Sequence, residues 1–136
     1  MKNLIIVSIF WILSAFQFSK DRTDLLAQKW VMQEMQMGNS LFSEEMVERQ
    51  RRNGIETILH FNKNNTCLVH IRSPKGKTTK RNKWQFMENQ TKLMIQPEGD
   101  EPAQTFAIEK LSAKKMVLTI MDNGSKQIFV YKVLKD

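Results

Sequence analysis

His60, Cys67 and His70 are the side chains best suited to hold a metal ion or attack a substrate, and they are the only histidines and the only cysteine among the 136 residues. A zinc site needs three or four such ligands pointing at one place, and a cysteine nucleophile needs a base on its own face. Strand parity decides whether either can form. Residues 55–61 and 66–72 read as two strands around an Asn-rich turn, and two loop lengths compete. With Asn64-Asn65 as a two-residue loop, Phe61 faces Leu68 and Leu59 faces His70, which sets a polar residue among the inward ones. With Lys63-Asn64-Asn65 as the loop and Asn65 left-handed, Phe61 faces Cys67, Leu59 faces Val69 and Thr57 faces Ile71. The second register gathers the apolar residues on one side. It sends His60 and His70 outward, diagonal to each other, and turns Cys67 away from both, so it predicts neither a metal site nor a Cys-His pair. An unpaired cysteine in such a strand is expected to pack as a small buried hydrophobe.

Other chemistry is equally hard to assemble. No Ser, His and acid fall in a spacing that reads as a triad, the five glycines make no phosphate-cradling loop, and the 14 acidic residues lie in connections and in one polar helix. The expectation is a protein that is not an enzyme and needs no cofactor.

The elements that carry these residues form a regular series. Strand patterns occur at 28–36, 55–61, 66–72, 79–87, 91–96, 103–111, 115–122 and 127–134, with Asn, Gly, Pro, Asp and Lys between most of them and no helix-length apolar pattern interrupting. Even spacing without crossover helices means antiparallel neighbours, and closing eight strands removes the exposed edges. The predicted fold is all-β, an eight-stranded antiparallel up-and-down barrel, with a short helix between the first two strands. That helix starts at the N-cap Ser43, carries Glu44 and Glu45 in its first turn and Arg49, Arg51 and Arg52 in its last, and stops at Asn53-Gly54. Its apolar content is thin, so the 40–53 segment should lie over a rim near the mouth, as a surface connection or as a lid. Residues 22–27 offer one helical turn, capped by Thr23 or Asp24, whose Leu25 and Leu26 plug one end of the barrel.

Parity along the remaining strands places Trp84, Phe86, Leu93, Ile95, Phe106 and Ile108 inside. Asn123-Gly124 is the strongest turn signal, and as a two-residue loop it opposes Leu118 to Phe129; a three-residue loop instead turns Ile128 and Val130 inward. The inward ring Phe61, Trp84, Phe86, Phe106, Phe129 and Tyr131 has the lining chemistry of a pocket for a small hydrophobic molecule. The same aromatics can equally fill an eight-stranded barrel. In that alternative the function moves to the surface, as an envelope-surface or protein-interaction module that uses the basic hairpin and an outer wall carrying Ile58, Leu68, Met87, Met94, Val117 and Met121.

Length and charge set the outer limits. The chain supports one domain, 22–136, behind residues 1–19, where Lys2 precedes the apolar run Leu4–Phe18. That run is 15 residues long, short of the roughly 20 that span a bilayer, so it reads as a signal peptide for export to the periplasm or beyond, with an N-terminal anchor as the alternative. No Cys follows it to take a lipid. The net charge is +7, concentrated at Arg49–Arg52 and in the hairpin bearing Lys75, Lys77, Lys80, Arg81 and Lys83. Lys75, Lys77, Lys80 and Arg81 could contact an anionic surface, peripherally at a membrane or envelope; export argues against nucleic acid. The oligomeric state is not legible.

With the strands placed, several short motifs resemble the bacterial lipocalin-like domain family, small exported relatives of the lipocalins. They are Leu25-Leu26-Ala27-Gln28-Lys29-Trp30-Val31, Leu59-His60-Phe61-Asn62-Lys63-Asn64-Asn65-Thr66, Trp84, and Phe106-Ala107-Ile108-Glu109-Lys110-Leu111 followed by Met116-Val117-Leu118. The family's first hairpin usually has Asp-Gly-Thr where this chain has Asn64-Asn65-Thr66, which suits a left-handed Asn65. The resemblance implies a ligand-binding barrel, with Trp30 closing its base and a cation from the last strand, Lys132 or Lys135, packed across that indole. Gln28 stands where lipocalins carry the Gly of Gly-x-Trp.

Overall fold

Alternating apolar and polar residues, separated by turns that tolerate left-handed backbone, fold this chain into successive antiparallel hairpins. The computed structural model describes residues 22–135; the leader read at 1–19 lies outside the described residues. A helical turn over 22–26 (α1) is followed by β1 (Lys29–Met37), β2 (Ser40–Phe42), α2 (Glu44–Arg52), β3 (Glu56–Phe61), β4 (Thr66–Ser73), β5 (Gly76–Met87), β6 (Lys92–Pro97), β7 (Gln104–Leu111), β8 (Lys115–Asp122) and β9 (Ser125–Val133). From β3 to β9 each strand pairs with the next, and β1 pairs with both β3 and β9, so eight strands close into an antiparallel barrel.

The two registers that parity favoured are the ones observed. Phe61 opposes Cys67 and Leu59 opposes Val69, with Asn65 at φ 67°. Leu118 opposes Phe129 across a two-residue loop whose Asn123 and Gly124 sit at φ 50° and 79°, as a primed hairpin turn requires. Apolar residues that break strict alternation are explained by bulges. Pairing of β1 with β9 skips between Met32 and Glu34, so Trp30, Met32, Met35 and Met37 all fall on the inner side; β7 skips between Ile108 and Lys110, which returns Leu111 inward. The extra residue Glu109 accepts a hydrogen bond from the buried Thr119 hydroxyl at 3.0 Å.

Four expectations need correction. The chain does not pass straight from the first strand to the helix: Met37 opposes Ser40, and β2 takes up the edge of β1 that β3 leaves after Val31. Gly38 at φ 59° permits the reversal, and the vacant edge supplies backbone groups that need partners. β5 begins at Gly76, not residue 79, because Ser73 and Gly76 pair directly around Pro74-Lys75. Its first residues are polar on both faces and run beyond the point where β6 pairs with β5. At α1, Thr23 and Asp24 lie within the helical turn and so are not its caps; the Thr23 carbonyl accepts from Ala27 N–H instead. Finally, Lys132 pairs with Val31 on the face opposite Trp30 and reaches Glu44 and Glu48 of α2, so it does not cover the indole.

The fully buried cluster is Leu26, Trp30, Phe61, Cys67, Trp84, Leu93, Met116 and Leu118. Both indoles are anchored, Trp30 Nε1 donating to the Leu26 carbonyl and Trp84 Nε1 to the Asn62 carbonyl, each at 3.0 Å. Leu26 therefore plugs the base as expected, while Leu25 is only half-buried. Gln28, in the place of the lipocalin Gly, is accommodated by its side-chain amide, which donates to the Leu25 carbonyl at 2.7 Å.

α2 has its Ser43 N-cap, whose hydroxyl accepts from Met46 N–H at 3.3 Å, and none of its residues is buried. Arg51 bonds Glu56 at 2.7 Å, and Lys132 holds Glu44 and Glu48 at 3.8 and 3.6 Å. Val47 covers a recess of about 80 Å³ shared with Val31, Phe42 and Ile55. The segment is thus pinned against the wall strands β1, β3 and β9 as a surface connection.

Candidate functional site

The barrel wall is open beside the first residues of β5. β5 runs from Gly76, but its pairing with β6 starts only at Asn82, which opposes Pro97. Above that point β5 has β4 on one side and, among the described residues, no strand on the other, and the chain between Pro97 and Gln104 crosses the gap as a loop. The opening is a concavity of about 540 Å³, bounded by Val69, Ile71, Thr79, Lys80, Arg81, Asn82 and the loop residues Pro97, Glu98, Gly99 and Glu101. Register sorts these side chains. Trp84 points into the core, so Asn82, Lys80 and Thr78 share its face, opposite the inward Cys67, Val69 and Ile71. The concavity therefore has an inner wall of Val69 and Ile71 with Lys80 and Asn82 beside them.

Of the aromatic ring read from sequence, Phe61 and Trp84 are 1% and 4% exposed and belong to the packed base. Phe86, Phe106 and Tyr131 pack against that base and stay partly accessible, as do Leu59, Val69, Ile95 and Ile108. Edge-on contacts join Phe61 to Trp84, Trp84 to Phe86, and Phe106 to Phe129, with centroids 5.3 to 6.1 Å apart. Trp30 is fully buried in the same cluster. The interior is thus solid around α1 and looser away from it.

The basic hairpin divides into two faces. Lys75, Lys77, Lys80 and Arg81 are all exposed and make no ion pair among the described residues. Lys77 and Arg81 point outward, opposite Arg72 and Leu68, whereas Lys80 points inward opposite Val69. Grouping them from sequence as one patch missed that split, although counting by twos from Trp84 would have found it.

The histidines stand outside, as expected, their ring centroids 6.4 Å apart. His70 Nδ1 lies 3.0 Å from the Thr79 hydroxyl. Burial pushes the His60 pKa below its usual value, with Lys29 and His70 adding to the shift. Among the described residues, no three His, Cys, Asp or Glu converge. Burial raises the Cys67 thiol to about 12 and the Tyr131 phenol further, so both are neutral inside the barrel. On the outer wall, Met121 is 65% exposed and Met87 37%, while Ile58, Leu68, Met94 and Val117 are half-buried. Leu41, Met37, Met46 and Ile55 are further exposed apolar residues, not anticipated from strand parity because they lie in or beside β2 and α2.

No protein-family model matches the chain, and no curated protein matches it. A solved structure does: a lipocalin-like protein from Bacteroides uniformis superimposes with a TM-score of 0.59 at 17% identity, covering 81% of this chain and 99% of the other. At that identity the likeness shows the fold alone, and the fold is a closed, antiparallel, lipocalin-like barrel of eight strands, with a short helix between β2 and β3.

Proposed function

We propose that this chain is an exported, non-enzymatic binder of a small hydrophobic molecule, taken up through the gap beside β5 into the looser half of the barrel. The observation that carries the reading is the concavity of about 540 Å³ with Val69 and Ile71 on its inner wall. That volume falls within the roughly 300–1,000 Å³ of ordinary ligand sites. Phe106, Phe129 and Tyr131 supply the aromatic surface beyond it, and Phe61, Trp84 and Phe86 the packed floor; Trp30 keeps the far end shut. Export rests on the Lys2 and Leu4–Phe18 leader pattern.

Native mass spectrometry of protein purified from its own host tests the reading directly. The expected result is a mass excess of one small molecule that organic solvent strips off, on a polypeptide whose N-terminus begins after the apolar run. A bare polypeptide, together with no response of tryptophan fluorescence to added hydrophobic dyes, would overturn it.

A specific observation supports a second reading, an interaction module at the envelope surface: the unpaired cations Lys75, Lys77, Lys80 and Arg81 project beyond the strand pairs that close the barrel.

A further inference from the structure

The upper half of β5 is an open strand edge. Trp84 N–H donates to the Asn65 carbonyl at 2.9 Å, which makes residues 65 and 84 a hydrogen-bonded pair. By the period of two, Asn82, Lys80 and Thr78 likewise turn their backbone groups toward β4. Lys77, Thr79 and Arg81 must then turn theirs the other way, where β6 no longer runs. None of the three bonds the backbone of the 98–103 loop or of any other described segment outside its own ladder. Proteins seldom leave such an edge bare, and Lys on an edge strand usually discourages chance pairing.

We propose that this edge binds an extended segment of another protein as an added strand, and that the segment alternates acidic and apolar residues. Main-chain bonds to Lys77, Thr79 and Arg81 would supply the attachment, as in other strand-addition complexes. Side-chain chemistry selects the partner. The outer face of the hairpin presents Lys77 and Arg81, which have no ion pair among the described residues, so alternate residues of the partner should be Asp or Glu. On the inner face the added strand would lie next to Thr78 and Lys80 of β5, with Val69 and Ile71 one strand further in, so the residues between should be apolar side chains that pack along the Lys80 methylenes toward that pair. A second copy of this chain is a poor occupant, because edge-to-edge pairing would set Lys77 and Arg81 of one copy against those of the other. Glu98 and Glu101 stand across the concavity, which favours a partner whose acids lie on the outer side only. The inference rests on backbone geometry and does not depend on a ligand inside the barrel.

The test uses the full-length chain and a labelled ten-residue peptide of alternating Glu and Val, with alternating Lys and Val as the control. Amide hydrogen exchange and fluorescence anisotropy are the readouts. In the free protein the amides of Lys77, Thr79 and Arg81 should exchange much faster than those of Thr78 and Lys80. The acidic peptide should bind and slow those three amides at least tenfold, and the basic peptide should not. Thr79→Pro removes an outward N–H while leaving the β4 ladder, and should weaken binding at least tenfold. Should that variant fail to fold, Arg81→Glu, which leaves the backbone intact, should weaken it likewise. Absence of binding, equal binding of both peptides, or binding that leaves the three amides unchanged would overturn the proposal. So would attachment to phosphatidylglycerol vesicles without protection of these amides in either experiment, which would assign the cations to a lipid surface instead.

Discussion

Asn65 is the residue on which the first register turns. It sits at φ 67°, its N–H donates to the Asn62 carbonyl at 3.1 Å, and its side-chain amide donates to the Trp84 carbonyl at 3.0 Å. One side chain thus reverses the chain and ties the turn to β5. Left-handed backbone costs an ordinary L-residue roughly 1–2 kcal/mol, and a lost hydrogen bond about 1 more. Asn65→Ala should therefore lower unfolding free energy by about 2 kcal/mol, and Asn65→Gly, which relieves the backbone, by about 1. Urea denaturation of the two variants checks this; equal losses would mean that the conformation contributes nothing. Asn65 was legible because apolar parity allowed only one loop length. The turn at 88–90 was less so. Glu88, Asn89 and Gln90 all have positive φ, at 48°, 56° and 65°, without a glycine to announce it. One tertiary bond and one local ion pair hold it instead, Arg22 donating to the Gln90 carbonyl and Lys92 pairing with Glu88 across the turn at 3.1 Å.

Among the elements, α2 shows how a polar helix is kept in place without a core face. Glu56 of β3 is its principal anchor: at 17% side-chain exposure it receives Arg51 at 2.7 Å and Arg72 at 3.6 Å. Replacing Glu56 with Ala leaves Arg72 without an anion and Arg51 with Glu48 alone, at 3.6 Å. The expected loss is about 1 kcal/mol, with faster amide exchange through α2. Glu45→Ala, whose side chain is 81% exposed beside Arg49, should change stability by no more than about 0.3 kcal/mol. Thermal unfolding of both variants separates them, and equal shifts would show that α2 is not held through Glu56. Start and stop signals placed this helix within a residue, since capping is local. Its docking surface could not be read from sequence, because the partners Lys132 and Glu56 come from β9 and β3. β2 escaped for a similar reason. Three residues carry no period, and only the edge of β1 left vacant after Val31 makes them a strand.

At the scale of the molecule, the eight barrel strands and both hairpin registers followed from period-two patterning, whereas β2 and the gap beside β5 did not. Pairing ends where β6 ends, and a sequence shows strand length poorly when a strand is polar on both faces, as Gly76–Arg81 is. Closure is the property that all eight strands share. It joins the two ends of the domain: Leu134 N–H bonds the Lys29 carbonyl at 2.8 Å, and Trp30 opposes Val133. A permutant with residue 135 linked to residue 22 through about ten flexible residues, and opened at Asn123-Gly124, should keep the native near-ultraviolet circular dichroism and unfold cooperatively. A molten spectrum from that permutant would argue against the β1–β9 seam.

The same seam orders events in time. β1 is the first strand to leave the ribosome and β9 the last, yet each needs the other as its neighbour. Until the final hairpin is made, β1 waits with one flank unsatisfied, so the barrel cannot mature hairpin by hairpin; its closure is a single late step that waits on β9.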